Sequence, residues 1–522
     1  MSGINNPGVL RKLFVVTAFL EGISVLVVEI AGVRALAPFY GTSLKVWTAQ
    51  ITATLLSLAL GYWAGGRLSR KNRNLSLPMV FFSAGIWLVL FPLLRVFVLE
   101  TTARALGIAG GSFLSAMILF GVPLVSLGAV SPLLIERLGK LGTGAGSAAG
   151  SLFFTNTIGG LAGGWLTALW LIPNFPLRLV LSCTGILLVL IGAFWGAALK
   201  GIKPLVAGMV PLAALVLMLA APAPAETFAL YGSQATIIYT KGSNLGLIQV
   251  MDMPDMGTRS LLLDGAIQGG EMGGVSAYPF TEYQNYLAHL YHPRAKSALL
   301  LGLGAGILAK QLVRRGVEVS AVELEPDIGD VARRYFGLPD LVHLVYEDAR
   351  TYLNRTRQKR FDLVFLDVYA GENIPWYLTT SEAMLRIKEV LNPGGRLIIN
   401  TMTWAKGSSP DLERLESVLL ESFDEARVFL GPEAAGQEGR KVTNAILVAG
   451  SDLSPASDKF PGEVLPWIKP ELEAVARSVR NAKSTVEPRT DDWCDLDYVG
   501  ADLKLAWRGI VISELGAEIL GD

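Results

Sequence analysis

Cysteine and histidine are scarce in this 522-residue chain, which has two cysteines, Cys183 and Cys494, and three histidines, His289, His292 and His343. One cysteine lies in an apolar run and the other near the tail, so neither a disulfide framework nor a thiolate metal site is expected. The histidines lack the spacing of metal ligands, and no metal is predicted. Net charge is missing too, with 45 basic residues against 45 acidic ones. That balance gives no electrostatic ground for a nucleic-acid partner or an acidic one. Charge is also absent locally. Before about Ala221 long apolar runs dominate, and after it the charge density is ordinary. Hydrophobic residues make up 51% of the chain and charged ones 17%, with a mean hydropathy of +0.44. A multi-pass α-helical membrane domain (1–224) followed by a soluble half is therefore predicted.

A membrane-crossing helix needs roughly 20 apolar residues. Residues 13–33, 47–66, 78–99, 106–135, 147–172, 178–198 and 204–221 meet that length, predicting about seven spans, the fourth tilted or broken at Pro123. The lipid bilayer is thus an expected partner. The first run is full length and is followed directly by others, unlike a removable signal peptide. The loops 67–74, 136–140 and 200–203 are basic, as are Arg11 and Lys12 before the first span. An excess of Lys and Arg marks the cytoplasmic side, and an odd number of crossings would then leave the soluble half outside. Supply of a nucleotide-type substrate argues for the cytoplasm instead, and that side is favoured. Glu21 and Glu29 fall within the first span, where a charge at mid-bilayer costs roughly 2.5–3.5 kcal/mol. Eight residues apart, they lie within about 80° on a helix. That fits a shared protein-facing side, or carboxyls that are neutral or paired with Arg34 or Arg95. Gly159/Gly163 and Gly160/Gly164 repeat at the spacing of closely packed helices.

From Ser297 onward apolar strands alternate with helical periods. Strands are predicted at 297–302, 317–323, 341–346, 361–367 and 394–401, and helices at 305–315, 326–335, 349–356 and 379–390. This alternation predicts an α/β Rossmann-like domain (281–460) with a parallel, doubly wound sheet. Short strands with Gly and Asn turns at 227–265 predict a small β-domain (225–280) before it, 282–292 reads as a helix, and 461–522 is a C-terminal extension.

The stretch "ALLLGLGAGILAK" (298–310) closes the first strand and opens the first helix through Gly302, Gly304 and Gly306. Backbone N–H groups and the helix dipole there sit beside a bound nucleotide. A dinucleotide fingerprint would need glycine at position 307, where Ile307 stands. Glu323 ends the second strand about 20 residues on, where a carboxylate accepts both ribose hydroxyls. Asp348 in "YEDA" ends the third strand, placed to take an adenine amino group, and Asp367 in "FLDVYAG" ends the fourth. The loop has no Lys or Arg for phosphates, so the set favours S-adenosylmethionine or a relative over NAD or ATP.

The motifs "LLLDGAIQGG" (261–270), "YQNYLAHL" (283–290), "GLGAG", "VELEPD", "EDA" and "LDVYAG" follow one another in a characteristic order and spacing. In this the chain resembles the spermidine synthase family of aminopropyltransferases over roughly 230–450. As a whole it is similar to the membrane-fused spermidine-synthase-like proteins of bacteria, a branch also suggested by "ENIPWYLTTSEA" (372–383) and "TDDW" (490–493). The resemblance implies S-adenosylmethionine or its decarboxylated form as substrate, 5′-methylthioadenosine as product, and no metal. It places Gln268 near the sulfonium, Glu323 at the ribose and Asp348 at the adenine, beside the loop Gly302, Gly304, Ala305 and Gly306. Asp367 and Tyr283 become the catalytic pair, with Gln284 and Tyr369 at the acceptor. An attacking amine must be neutral, and a nearby carboxylate takes its proton.

Several positions depart from the family. Ala305 stands where an aspartate grips the aminopropyl ammonium, and Ala370 where a second acid follows the catalytic one. Asn285 replaces the acid after the Tyr-Gln pair, and "PFT" (279–281) replaces an acidic pair upstream. A polyamine needs carboxylates in place of its lost hydration, so an ordinary putrescine acceptor is not expected. The acceptor is then another small-molecule amine, or none. Without an acid at 305 the pocket would admit the carboxylate of intact S-adenosylmethionine, whose own α-amine would attack its γ-carbon. A methyltransferase is one alternative. A non-catalytic transporter or sensor, suggested by Glu21 and Glu29, is another. The resemblance also raises a homodimer through the small β-domain, a contact that membrane fusion is able to replace.

Overall fold

The computed structural model describes the chain outside residues 1–5, 42, 71–73, 107, 200–203, 221–226, 231, 244, 357–359, 370–373, 406–408, 433–440, 458, 462–463, 465, 493–502, 504–505, 508 and 510–522. Ala370, Cys494, and parts of the "ENIPWYLTTSEA" and "TDDW" motifs lie outside the described residues. The chain divides into two units, Met1–Ala225 with Ala517–Asp522, and Glu226–Gly516.

The first unit is helical: α1 (Pro7–Tyr40), α2 (Leu44–Ser69), α3 (Ser76–Ala105), α4 (Ile108–Gly128), α5 (Val130–Lys140), α6 (Ala145–Leu166), α7 (Ile172–Asn174), α8 (Leu177–Ala198) and α9 (Pro204–Ala220). A π-helical turn, Thr167–Leu171, joins α6 to α7. Among the described residues four helical stretches are long and apolar enough to cross a membrane: Pro7–Tyr40, Ser76–Ala103, Ile108–Lys140 and Leu177–Ala198. Pro123 stays inside α4. The fourth run breaks instead at Ala129, between α4 and α5.

Helix α1 meets α6 backbone to backbone. A β-carbon at Gly22 would lie 2.0 Å from the Asn156 carbonyl oxygen, one at Gly159 2.2 Å from that of Phe19, and one at Gly163 2.6 Å from that of Ile23. Only glycine permits this approach, which is the packing use of small residues in apolar helices. Glu21, 2% exposed, accepts hydrogen bonds from the Ser131 hydroxyl at 3.2 and 3.4 Å to its two oxygens. Its carboxyl therefore faces protein, while Glu29 is half-buried.

The second unit begins with an antiparallel meander, β1 (Thr227–Leu230), β2 (Ser233–Gly242), β3 (Leu247–Met253), β4 (Thr258–Leu263), β5 (Ala266–Met272) and β6 (Val275–Ser276), paired in chain order. Asp264 and Gly265 turn β4 into β5 with φ of 48° and 75°. Two left-handed residues in succession match the twist of a tight hairpin, and Asp-Gly is a favoured pair there.

Then come α10 (Pro279–Tyr291), β7 (Ser297–Leu301), α11 (Ile307–Arg314), β8 (Glu318–Glu323), α12 (Pro326–Phe336), β9 (His343–Tyr346), α13 (Ala349–Arg355), β10 (Phe361–Leu366), α14 (Ser381–Glu389), β11 (Leu391–Trp404), α15 (Pro410–Ser422), β12 (Glu425–Leu430), β13 (Val442–Gly450), α16 (Lys469–Arg477) and β14 (Arg480–Asn481). The sheet runs β14-β12-β13-β11-β10-β7-β8-β9. Strands β7 to β11 pair in parallel, as the alternating pattern predicts. The sheet as a whole is mixed rather than parallel, because β13, β12 and β14 add antiparallel to its far side. These strands lie beyond the last predicted one, and β12 and β13 follow one another with no helix between them among the described residues.

Alternate residues of β7 enter different cores. Ala298 and Leu300 pack with Leu287 of α10, Leu312 of α11 and Leu472 of α16, while Leu299 and Leu301 pack with Leu353, Met384 and Leu419. A central strand covered on both faces reads as an unbroken apolar run, here "SALLL". The strand order reverses between β7 and β10, and at such a switch point the carboxyl ends splay into a crevice.

Candidate active site

A cavity of about 660 Å³ occupies that crevice. Its floor is the glycine loop, where Gly302, Gly304 and Gly306 have φ of 94°, 54° and 74°. A β-carbon at Gly302 would lie 2.3 Å from the Asp367 carbonyl oxygen, so the ends of β7 and β10 touch through backbone. Glu323 ties the loop to β8. One carboxylate oxygen accepts the Leu303 N–H at 3.2 Å and the other the Glu325 N–H at 3.0 Å. Burial pushes this carboxyl up from its usual range, and the backbone donors oppose the shift.

Ala305 is 3% exposed and packs with Ile248, Val250, Leu261 and Leu263 of the β-domain. Its methyl lies 3.4 Å from where a β-carbon on Gly269 would sit. The missing acid is thus part of an apolar contact between the two layers. Gln268 reaches the cavity because of a β-bulge. Leu261 pairs with Gly269 and Leu262 with Ile267, leaving Gln268 as the extra residue. A bulge re-aims the unpaired side chain, and Gln268 lines the cavity.

Asp348 caps α13, one oxygen accepting the Thr351 N–H at 2.9 Å and the other the Tyr377 hydroxyl at 3.0 Å. Burial and the neighbouring Asp348 push the Tyr377 hydroxyl up to about 12. Asp367 is held by two amides: Gln284 Nε2 donates to Oδ2 at 2.7 Å and Asn400 Nδ2 to Oδ1 at 3.0 Å. Asn444 Nδ2 donates in turn to Asn400 Oδ1 at 3.0 Å, and the Tyr369 hydroxyl donates to the Asn400 carbonyl at 3.0 Å. Burial raises the Asp367 carboxyl, with the Asn400 and Gln284 hydrogen bonds acting against it.

Gln268, Tyr283, Gly302, Gly304, Ala305, Gly306, Glu323, Asp348, Asp367 and Tyr369 all line the one cavity. Gln284 is not among the lining residues; it is fully buried and acts on Asp367 from behind. Tyr283, also buried, donates its hydroxyl to Glu471 Oε2 at 2.9 Å. Asn285 points elsewhere, accepting from Arg315 Nη1 at 2.8 Å. Pro279, Phe280 and Thr281 line the cavity without charge.

Sequence reasoning missed Tyr377, Asn400, Asn444 and Glu471. Asn400 had a legible signal, a polar side chain near the end of a predicted strand, the same signal that marks Asp367. The others lie where no predicted strand end points to them. Together the lining includes Glu323, Glu347, Asp348, Asp367 and Glu471, of which Glu347 is paired with Arg355 at 2.7 Å, and among the described residues it has no Lys, Arg or His of its own. Such a cavity suits a cation.

Residues 299–399 match the family described as "Methyltransferase domain". The chain is 26% identical over 220 residues to a probable polyamine aminopropyl transferase of Bifidobacterium longum, covering 40% of this chain and 49% of that one. It is 33% identical over 123 residues to a polyamine aminopropyltransferase of Vibrio vulnificus, covering 22% and 41%. The chain thus spans half or less of the length of these two relatives. Against a polyamine aminopropyltransferase of Corynebacterium efficiens it is 26% identical over 434 residues, covering 77% of this chain and 80% of that one. A match of 434 residues cannot fit within Glu226–Gly516, so this similarity takes in part of the apolar half. The chain is similar to polyamine aminopropyltransferases, with apolar helices preceding the α/β fold.

Proposed function

We propose that this protein transfers the aminopropyl group of decarboxylated S-adenosylmethionine to an amine, releasing 5′-methylthioadenosine. The observation that carries this reading is Asp367, set by two amides in a cavity lined by four further carboxylates, one of them paired with Arg355, and, among the described residues, no cationic lining side chain. The donor brings a sulfonium and an ammonium, both positive. Intact S-adenosylmethionine brings a carboxylate that this lining would repel, so the decarboxylated form is the substrate and self-cyclisation is disfavoured.

In the reaction the acceptor nitrogen attacks the methylene carbon beside sulfur. A C–N bond forms, the C–S bond breaks, and its electron pair stays on sulfur as a neutral thioether. The proton leaving nitrogen goes to Asp367, whose raised carboxyl is better matched to that task than an exposed one. Glu323 takes the ribose hydroxyls, Asp348 the adenine amino group, and Gln268 lies toward the sulfonium. The loop Gly302, Gly304, Ala305 and Gly306 lies against the nucleoside, and Tyr369 borders the acceptor. The apolar half crosses the bilayer through its long apolar helices, with the soluble unit on the cytoplasmic side, from which a nucleotide-type donor is supplied.

Product analysis tests the reading. Purified protein given the decarboxylated donor and a diamine should accumulate 5′-methylthioadenosine, and with S-adenosylmethionine alone it should not. S-Adenosylhomocysteine formed from S-adenosylmethionine would instead establish methyl transfer, the second reading, which the matched methyltransferase domain supports. At the adenine end, Tyr377→Phe removes a neutral donor from Asp348, worth about 1 kcal/mol. Calorimetric titration with 5′-methylthioadenosine should show roughly fivefold weaker binding, and an unchanged Kd would mean that the Tyr377 hydroxyl does not set Asp348 for the nucleoside.

A further inference from the structure

Apart from Tyr377, the motifs at 372–383 and 490–493 take no part in the chemistry above, yet their described residues bind one another beside the cavity. We propose that Asp491, in the C-terminal extension, is a positioning residue that sets the base preference of the nucleoside end, acting through Arg350 and Tyr377 on Asp348. This inference rests on Asp348 as the partner of the adenine amino group. It serves aminopropyl and methyl transfer alike, because both donors carry the same nucleoside.

After β14 the chain leaves the antiparallel edge of the sheet and runs as a strap over α15 and α14, which share one core with α13. Helix α15 holds it at three points. The Lys483 N–H donates to Glu416 Oε2 at 2.8 Å, Arg414 Nη1 to the Glu487 carbonyl at 2.6 Å, and the buried Arg489 donates through Nη2 to Asp411 Oδ1 at 2.6 Å. At α14 the Ser381 N–H donates to the Arg489 carbonyl at 2.9 Å and the Asp491 N–H to Glu382 Oε2 at 3.0 Å. Asp491 is thereby carried to the first turns of α13 and α14.

There its carboxylate grips the segment that carries Tyr377 from two sides. Oδ1 accepts the hydroxyl of Thr380, the N-cap of α14, at 2.7 Å, and Oδ2 accepts Arg350 Nη2 at 2.5 Å. Arg350 Nη1 donates onward to the Tyr377 carbonyl at 3.3 Å, and the Tyr377 hydroxyl donates to Asp348 Oδ2 at 3.0 Å. Tyr377 sits in the single 3-10 turn Trp376–Leu378. Asp348 and Arg350, two residues apart at the start of α13, thus hold its two ends, hydroxyl and carbonyl. Tyr377 and Asp348 line the cavity, and Asp491 is not among the lining residues. Its influence on a ligand is therefore indirect. An exposed ion pair by itself is worth little, and such a pair would need neither the Thr380 hydroxyl nor a second Arg350 bond to the cavity wall.

The base preference follows from hydrogen-bond chemistry. An adenine 6-amino group donates to a carboxylate, and each Asp348 oxygen keeps a lone pair for it. The 6-oxo group of hypoxanthine has no hydrogen to give and meets the same carboxylate as a second acceptor. Discrimination between the two then depends on how firmly Asp348 is held.

The test titrates wild type, Asp491→Ala, Tyr377→Phe and the double variant, each as the full chain in detergent, with 5′-methylthioadenosine and 5′-methylthioinosine. Wild type should bind the adenine nucleoside more tightly. Asp491→Ala should weaken that binding about fivefold, as for one lost hydrogen bond, and weaken the inosine form less, so that the preference narrows. The double variant should bind no more weakly than Tyr377→Phe alone, because both changes act through one hydroxyl. Calorimetry reads Kd on the folded fraction, so partial unfolding would lower the stoichiometry and leave the affinity. Unchanged binding, equal weakening of both nucleosides, or additive losses in the double variant would overturn the proposal and leave the nucleoside site standing. No binding of 5′-methylthioadenosine to wild type would sink the nucleoside site and the proposal together. S-Adenosylhomocysteine as product, with the narrowed preference in Asp491→Ala, would end the aminopropyl reading and support the role of Asp491.

Discussion

Asp367→Asn is expected to lower kcat for release of 5′-methylthioadenosine by about 10²–10⁴-fold, the usual range for losing a positioned proton acceptor. The variant should still fold. Both Asp367 oxygens accept amide N–H groups, from Gln284 and Asn400, and an asparagine there presents one donor that would face another. Gln284 resolves the conflict by rotating its amide, because its Oε1 is buried without a partner and is available to accept. Loss of activity with a retained nucleoside Kd would therefore report chemistry and not collapse.

The pH profile supplies a second signature of the same residue. Transfer needs the carboxylate form of Asp367, whose proton affinity burial raises. Activity in kcat/KM should fall as pH falls through this raised pKa, placing the acid limb above the range of an ordinary exposed carboxylate. That limb should vanish from the residual activity of Asp367→Asn. Wild-type-like turnover in the variant would remove Asp367 from the reaction.

Gly302→Ala is the substitution with the largest expected effect on the fold around the site. Its backbone is left-handed at φ 94°, and the new methyl would stand 2.3 Å from the Asp367 carbonyl oxygen. That neighbour is backbone at the end of an adjacent central strand, so neither side yields cheaply. A destabilisation on the order of 3 kcal/mol is expected, seen as a Tm lower by roughly 6–12 °C for a unit of this size. Asp367 would move with its carbonyl, so activity should fall as well. Gly316 is the control: φ is 78°, but nothing lies within 4 Å of its missing β-carbon. Alanine there should cost only the left-handed backbone, about 1–2 kcal/mol. Equal shifts in the two variants would mean that the close approach at Gly302 does not matter.

Much of the framework was legible in the chain itself. The parallel strands follow from short apolar runs alternating with amphipathic periods, and Glu323, Asp348 and Asp367, each an acid at a predicted strand end, all line the cavity. Such signals are local: a two-residue period for strands, a 3.6-residue period for helices, and a fixed edge where parallel strands finish. The mixed far side of the sheet was not legible, because β12 and β13 pair as consecutive strands with no helix between them among the described residues. Gln284 was expected at the acceptor and is found behind Asp367, since the sequence sets which helix carries a side chain but not which face of it meets the cavity.

The contrast is sharpest between Ala305 and Glu471. The sequence alone determined that the glycine loop has no acid at its centre, and the fold supplies the reason, an apolar contact with the β-domain. It also determined the scarcity of metal ligands and the split between apolar and charged halves, because composition and short-range order do not depend on folding. Only the tertiary structure decided that Glu471 lines the cavity. Glu471 and Tyr283 meet across a long stretch of chain, through packing of α16 on α10. No period or spacing encodes that contact; it exists only once the core between the two helices has closed.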